Sequence, residues 1–418
     1  MPFEASIKFA EKLDEKDPLR KFRKQFHFPA HKGKKAVYFC GNSLGLQPKN
    51  TAKAIKQELK DWKNLAVSGY FGAKNPWLFY QDNFMQPLSK IMGCKQEEVT
   101  VMNALTVNLH LLLLSFYKPT AGRYKIIMEA GAFPSDQYAV ETQVKFHGHN
   151  PNEAIIEIAP RKGEKLLRTE DIIKIISDHK ETTALVLLGG INYYTGQLYD
   201  IKYITEAAHA AGAMAGYDLA HVAGNVPMEL HKWNADFAVW CSYKYLNGGP
   251  GAVAGVYIHA KYANDKNFHR LGGWWGNAEK TRFKMEKGFK PKAGAGGWQM
   301  STAQVFNMVS LKASLQLFEE AGIKNIRKKS ILLTNYLEFL LHQLTNVNFE
   351  IITPSDSFQR GAQLSLYFTS NAKAIHKKLT DSGIIVDYRE PGVIRAAPAP
   401  LYNTFKEVYK FYEVLSSC

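Results

Sequence analysis

Cysteine is scarce in this chain: Cys40, Cys94, Cys241 and Cys418 are the only four in 418 residues, and they lie far apart. No CxxC pair and no metal-ligand spacing joins them, so a zinc-site or thioredoxin-like class has no support and no metal is expected. Two disulfides could form in a secreted chain. The first residues, charged through Asp17, lack an apolar signal core, so reduced thiols in a cytoplasmic protein are the expectation. Long apolar runs are missing as well. The most apolar stretch, Leu109–Tyr117, is far shorter than the about 20 residues that cross a bilayer, and no membrane association is expected. There is no internal repeat and no low-complexity tract. Acidic residues are in deficit, 38 against 53 Lys and Arg, for a formal charge of +15. The densest basic runs, Arg20–Lys24, His31–Lys35 and Arg327–Lys329, are short and lie outside the apolar segments. They read as solvated faces with a preference for small anions, and no nucleic-acid partner is expected.

What the chain does contain is 46% hydrophobic residues, enough for a sizeable core and two domains. To about Pro48 it is polar and basic, closing in a short strand that runs into a glycine turn at Tyr38–Pro48. Thr51–Ala66 has helical spacing, with Ala54, Ile55, Leu59, Trp62 and Leu65 as its apolar stripe. From about residue 100, short strands alternate with helices. Strands are predicted at Tyr124–Glu129, Ala154–Ala159, Ala184–Leu188, Ala213–Tyr217, Phe237–Cys241 and Ala252–Ile258. Helices are predicted at Val107–Phe116, Phe133–Phe146, Thr169–Ser177 and Ile201–Ala211. This alternation predicts an α/β fold, a mostly parallel sheet covered by helices, with ligands beyond the carboxyl ends of the strands. A loop rich in Gly, Trp and Lys follows at Asn264–Gln299, then helices at Ser301–Ala321 and Lys324–Gln343. The remainder, with strands near Phe349–Ile352, Ala362–Phe368 and Val393–Ala396, reads as a smaller α+β C-terminal domain. We divide the chain into an N-terminal arm that joins the small domain (1–50), a large domain (51–305) and a small domain (306–418).

The stretch Ala235–Gly251 is the most informative. An apolar strand empties into Ser242-Tyr243-Lys244 and then a glycine-rich turn. A lysine at the mouth of a buried strand is desolvated on one side, which makes its amine a usable nucleophile. Upstream, the strand Ala213–Tyr217 ends in Asp218. A strand-end carboxylate and a strand-end lysine are what pyridoxal phosphate needs: an amine for a Schiff base and a carboxylate that keeps the pyridine nitrogen protonated. Alone, Lys244 would read as a solvated loop lysine, as most lysines are; paired with Asp218, the functional reading leads. Thr106, before an apolar helix, offers a hydroxyl beside free first-turn amides, which is either an anion site or an ordinary N-cap. Phe133 and Asp136 could stack on and orient a flat cofactor, although Pro134 and Asp136 also suit a plain helix start. His221 falls just past the same strand end as Asp218. Trp274, in Gly272–Gly276, offers an indole N–H to phosphate or substrate, or packs in the core or a dimer contact. Arg395 is the only charge in an apolar strand and needs an anion, either a substrate carboxylate or a salt-bridge partner.

Seven segments in order, Asn42–Pro48, Phe133–Asp136, Tyr193–Gln197, Asp218–His221, Cys241–Asn247, Thr281–Met285 and Ile394–Pro398, together resemble the kynureninase family of fold-type-I pyridoxal-phosphate enzymes. The resemblance covers nearly the whole chain. It implies a sheet of seven-stranded type and a homodimer with shared active sites. The activity it implies is hydrolytic Cβ–Cγ cleavage of L-kynurenine, and of 3-hydroxy-L-kynurenine, to anthranilate or 3-hydroxyanthranilate and L-alanine, in tryptophan degradation or NAD biosynthesis. By the same resemblance Lys244 carries the cofactor and moves protons at Cα, Asp218 pairs with the pyridine nitrogen beside His221, and Phe133 stacks on the ring. Leu105, Thr106, Tyr243 and, from the neighbouring subunit, Trp274 hold the phosphate. Pro134, Ser135 and Asp136 complete the ring contacts, and Gly189 takes a position where some members carry serine. Arg395 and Ser43 bind the substrate carboxylate side, with Tyr243 as proton relay at the γ-carbonyl. Thr302 and Tyr70 match positions near the substrate's aromatic ring, Thr302 also bordering the cofactor. Neither is the Asn or His of members that prefer the hydroxylated substrate, which tilts the expectation to L-kynurenine. Within the superfamily, an aminotransferase or a cysteine desulfurase is the rival; the latter needs a reactive cysteine on a mobile loop, and Cys241 and Cys418 are not placed for it.

Overall fold

The computed structural model describes residues 2–418, so only Met1 of the arm lies outside the described residues. Seven strands form the large sheet: β1 (Val99–Met102), β2 (Lys125–Glu129), β3 (Ile155–Ile158), β4 (Thr183–Gly189), β5 (Met214–Asp218), β6 (Phe237–Trp240) and β7 (Ala254–Ile258). Their spatial order is β1-β7-β6-β5-β4-β2-β3. Only β7 runs antiparallel to its neighbours. Strands β1, β6 and β7 are buried along their whole length and β4 at all but its last residue, as a sheet covered on both faces requires. The six strands read from the alternation are all present; β1 is the seventh, four residues too short to stand out from the polar segment before it.

Helices Leu105–Phe116 and Pro134–Phe146 pack one face, sealing Leu109, Leu112, Val140 and Val144 against Met128, Leu187 and Val239. Helices Thr169–Asp178, Ile201–Ala210 and Val305–Ala321 bury their apolar sides on the other, with Ile172, Ile204, Leu311 and Leu315 in one core. A second sheet holds β8 (Glu350–Ile351), β9 (Leu364–Tyr367), β10 (Asp387–Arg389) and β11 (Val393–Ala396) in the order β8-β9-β11-β10, all antiparallel. Its separate core takes in Leu333 and Leu337 from helix Ile323–Leu341, Phe411 from helix Phe405–Ser416, and Phe9 from helix Ile7–Lys16. The strand Val37–Tyr38 joins this part by parallel pairing with Ile384–Ile385.

Two expectations are corrected. Helix Asn50–Leu65 does not bury its apolar stripe: Leu59 is 46% and Trp62 58% exposed, while Thr51, Glu58 and Asp61 are buried. The polar side goes inward because Glu58 is saturated there, accepting from Asn75 Nδ2 (2.9 Å), Trp77 Nε1 (3.0 Å) and the Tyr80 hydroxyl (3.2 Å). Nor is Arg327–Lys329 a solvated face, because Arg327 and Lys329 are buried. Arg327 donates to the carbonyls of Ser357 (2.6 Å) and Arg360 (2.8 Å), and Lys329 meets Asp17 at 2.7 Å and the Pro400 carbonyl at 2.6 Å.

Removing one partner of a buried pair leaves the other charge uncompensated. Asp17→Ala is expected to cost about 3–5 kcal/mol, read from the urea midpoint. Glu320→Ala, which breaks the exposed pair with Lys21 (2.6 Å), is expected to cost about 1 kcal/mol or less.

Candidate active site

The parallel register sets Glu129, Gly189 and Asp218 at the carboxyl ends of adjacent strands β2, β4 and β5, with Gly189 opposite Asp218. Beyond β6 the chain turns through Ser242 and Tyr243 to bring Lys244 over the same row. This loop is fixed by a close approach from the Asn42–Pro48 turn, where the Gly45 amide donates to the Tyr243 carbonyl at 2.8 Å. A Cβ on Gly45 would stand 2.4 Å from the Lys244 carbonyl oxygen, so only glycine fits.

Leu105, Thr106, Phe133, Ser135, Asp136, Gly189, Asp218, His221, Tyr243 and Lys244 line one cavity, together with Glu129, Ile191 and Tyr193. Lys244 is only 9% exposed; its Nζ lies 2.9 Å from His221 Nε2 and 5.7 Å from the centre of the half-exposed Phe133 ring. Burial, then the Lys244, Arg395 and Arg389 charges, hold His221 well below its ordinary pKa. The imidazole is therefore neutral, accepts from the ammonium through Nε2, and keeps its proton on Nδ1. Asp218 accepts the Ala220 amide at 2.7 Å. Burial and the neighbouring Asp218 carboxylate raise Asp136 well above the carboxylate range, and burial raises Asp218 as well, so the pair holds a proton and Asp136 is the one that keeps it. Burial also keeps the Tyr243 phenol protonated and raises the Cys241 thiol.

The helix after β1 begins at Leu105, two residues earlier than its periodicity suggested. Its N-cap is Ala104, with no side-chain cap, so Thr106 sits in the first turn and is not the cap. Leu105 and Thr106 line the cavity, so an uncapped helix start, whose first-turn amides have no partner within the helix, borders it. Two buried polar atoms in the wall, His221 Nδ1 and Asp136 Oδ1, have no hydrogen-bond partner among the described residues. An anion end, a flat apolar ring wall, an amine and unpaired donor and acceptor atoms together suit a phosphorylated aromatic aldehyde.

Arg395, 1% exposed, stands next to this cavity: Nη1 donates to the carbonyl of the lining residue Tyr193 at 2.6 Å, and Nη2 approaches Ser43 Oγ at 3.4 Å. It also has a salt-bridge partner, Asp387, at 2.8 Å. Pro134, Tyr70, Trp274 and Thr302 do not line the cavity of their own chain. Pro134 is the exposed first residue of its helix. Trp274 is turned away by the hydrogen bond from its Nε1 to the Arg282 carbonyl (3.1 Å), and Tyr70 packs near Trp77 and Trp275. Thr302 lines a separate cleft with Trp62, Trp77 and Phe306.

Glu129 and Asp387 were given no role from sequence. Glu129 ends a strand as Asp218 does, and the same strand-end logic could have found it. Its two oxygens share the Gly189 amide at 3.1 and 3.2 Å, and burial pushes its pKa up to about 7. The folded state thus holds this proton more tightly than the unfolded chain, at 4.5. The stability this gives is full below about pH 4.5 and is lost as pH rises through 7. Glu129→Gln is expected to match the native protein near pH 4.5 and to exceed it at pH 8 by roughly 2–4 kcal/mol, measured as denaturant midpoints across that range.

Comparison with known proteins gives three kinds of match. Residues 326–415 fit the family model described as "Kynureninase C-terminal domain". A kynureninase of Myxococcus xanthus is 53% identical over 414 residues, covering 99% of this chain and 97% of that protein. Kynureninases of Flavobacterium psychrophilum (50%, covering 99% and 98%) and Nematostella vectensis (45%, covering 99% and 94%) are also similar. Among solved structures, a cysteine desulfurase from Thermococcus onnurineus superposes with a TM-score of 0.73 at 18% identity, over 97% of each chain. A C-DES mutant with glycine covalently linked to its PLP cofactor gives 0.75 at 18%, over 91% of this chain and 96% of that one. These two share the fold.

Proposed function

This chain belongs to the kynureninase family, and from that premise we propose how its residues carry out the hydrolysis of L-kynurenine to anthranilate and L-alanine. The enzyme is a pyridoxal-phosphate-dependent hydrolase of carbon–carbon bonds. The observation that carries the reading is the meeting of Lys244, Asp218 and a neutral His221 on one cavity with an uncapped helix start at its other end.

When bound, pyridoxal phosphate would supply an electron sink for the reaction at the substrate Cα. Lys244 would hold the cofactor and move the Cα proton. Asp218, with Asp136 keeping the proton of the pair, would pair with the pyridine nitrogen, and His221 would lie beside it. Phe133, with Ser135 and Pro134 at the start of the same helix, would make the ring contacts. The Leu105 and Thr106 amides and the Tyr243 hydroxyl would take the phosphate. Tyr243, protonated through burial, is the donor toward the γ-carbonyl as water adds and the Cβ–Cγ bond breaks. Arg395, with Ser43, takes the α-carboxylate. A desulfurase reading fails on its thiol, since Cys241 is buried at the end of β6 and its pKa is raised.

A homodimer with shared sites completes this reading. The region around Tyr70, Trp274 and Thr302 exposes Trp62, Phe71 and Phe283, more aromatic surface than a monomer usually leaves in water. A second copy on this face carries Trp274 to the phosphate and Thr302 and Tyr70 to the aromatic end. Thr302 and Tyr70, in place of Asn and His, favour L-kynurenine over its hydroxylated form. The four free thiols suit a reducing compartment, and we place the enzyme in the cytoplasm.

Purified protein is expected to show a borohydride-quenchable visible band and to release anthranilate, followed by fluorescence, from L-kynurenine. Lys244→Ala should lose both; anthranilate from that variant at the native rate would remove Lys244 from the chemistry. For the shared site, mixed Lys244→Ala and Trp274→Ala proteins, each inactive alone, should recover about a quarter of native activity, because half the dimers hold one intact site. No recovery on subunit exchange would assign Trp274 to its own chain's cavity or to neither.

A further inference from the structure

We propose that Asp387 is the positioning residue for Arg395, fixing which edge of its guanidinium is left for the substrate carboxylate. This rests on Arg395 being the carboxylate site. Asp387 and Arg395 face each other directly across β10 and β11. Asp387 Oδ1 accepts from Arg395 Nε at 3.0 Å and from Arg389 Nε at 2.9 Å, and forms an ion pair with Arg395 Nη2 at 2.8 Å. Its Oδ2 accepts the Ser43 hydroxyl at 2.7 Å and Arg389 Nη2 at 3.2 Å.

A guanidinium offers a carboxylate two edges, one formed by Nε and one Nη nitrogen and the other by the two Nη nitrogens. Asp387 takes the first edge. Nη1 spends one hydrogen on the Tyr193 carbonyl and Nη2 turns one toward Ser43 Oγ (3.4 Å) and the Asp387 carboxylate, so one N–H on each Nη nitrogen remains for a substrate carboxylate. With two arginines around one aspartate, the cluster keeps a net positive charge for a second carboxylate. Ser43 donates to Asp387 at 2.7 Å and accepts from Arg395 Nη2 at 3.4 Å, so its hydroxyl ties the carboxylate and the guanidinium together. The other titratable cluster outside the cavity, Glu98 with His231 and His259, carries no comparable argument. Its facing atoms are already engaged with one another and with the amides of Ala260 and Lys261.

Positioning and simple electrostatics predict opposite signs. If Asp387 merely opposes an incoming anion, Asp387→Asn should lower KM and the inhibition constant of L-alanine, the product that keeps the α-carboxylate. If it orients Arg395, both should rise about tenfold with kcat changed far less, because the fork is no longer held to one edge. Asp387→Glu should recover part of the loss. Ser43→Ala, a milder variant that keeps the carboxylate, should shift KM in the same direction by about threefold. Unchanged or lowered constants in Asp387→Asn and Ser43→Ala would overturn the proposal. Arg395→Gln separates the two layers. If it leaves KM and the L-alanine constant untouched, the carboxylate site itself is misassigned. If it raises both while Asp387→Asn does not, only the role of Asp387 falls.

Discussion

One ammonium facing three carboxyl groups is the constraint around which the site is organised. Lys244 is the only cation lining a cavity that also holds Glu129, Asp136 and Asp218. Three ionised carboxylates so close in a buried pocket would repel one another by more than one lysine offsets. The structure resolves this by keeping protons: burial and the Asp218 charge raise Asp136, and burial raises Glu129. His221, at 2.9 Å from Lys244, could have added a second positive charge; its burial keeps it neutral. Each group's protonation thus depends on its neighbours, and the strand register that sets Gly189 opposite Asp218 holds them together.

Much of this was legible in the sequence because strand ends are legible. Asp218 and Lys244 follow apolar runs that end abruptly, and a parallel sheet sends such residues to one edge. Where the reading failed, the cause was pairing over long distances in the chain. Helix Asn50–Leu65 turned its polar side inward because Asn75, Trp77 and Tyr80 saturate Glu58. Lys329 is buried because Asp17 meets it, and no local pattern announces that partner. The hold of Asp387 on Arg395 depends on a register between two short strands. The choice at Thr106 between a cap and an anion site stayed open in the sequence because nothing in composition marks Ala104 as the N-cap.

The same architecture serves different reactions. A cysteine desulfurase superposes on this chain with a TM-score of 0.73, yet at 18% identity the likeness carries the scaffold alone. The features that bear on reaction here are local to this chain: a thiol, Cys241, buried just past a strand end, and a deeply buried arginine whose fork is partly occupied by a neighbouring aspartate.

The short strand Val37–Tyr38 finds its partner at Ile384–Ile385, almost the full length of the chain away, and the Gly45 turn between them and the Lys244 loop rests on the same segment. During synthesis this strand emerges long before the Ile384–Ile385 strand it pairs with. The large sheet can close earlier, from contacts nearer in sequence. Bracing of the pocket from this side is therefore a late event of folding, governed by a loop closure that spans most of the chain.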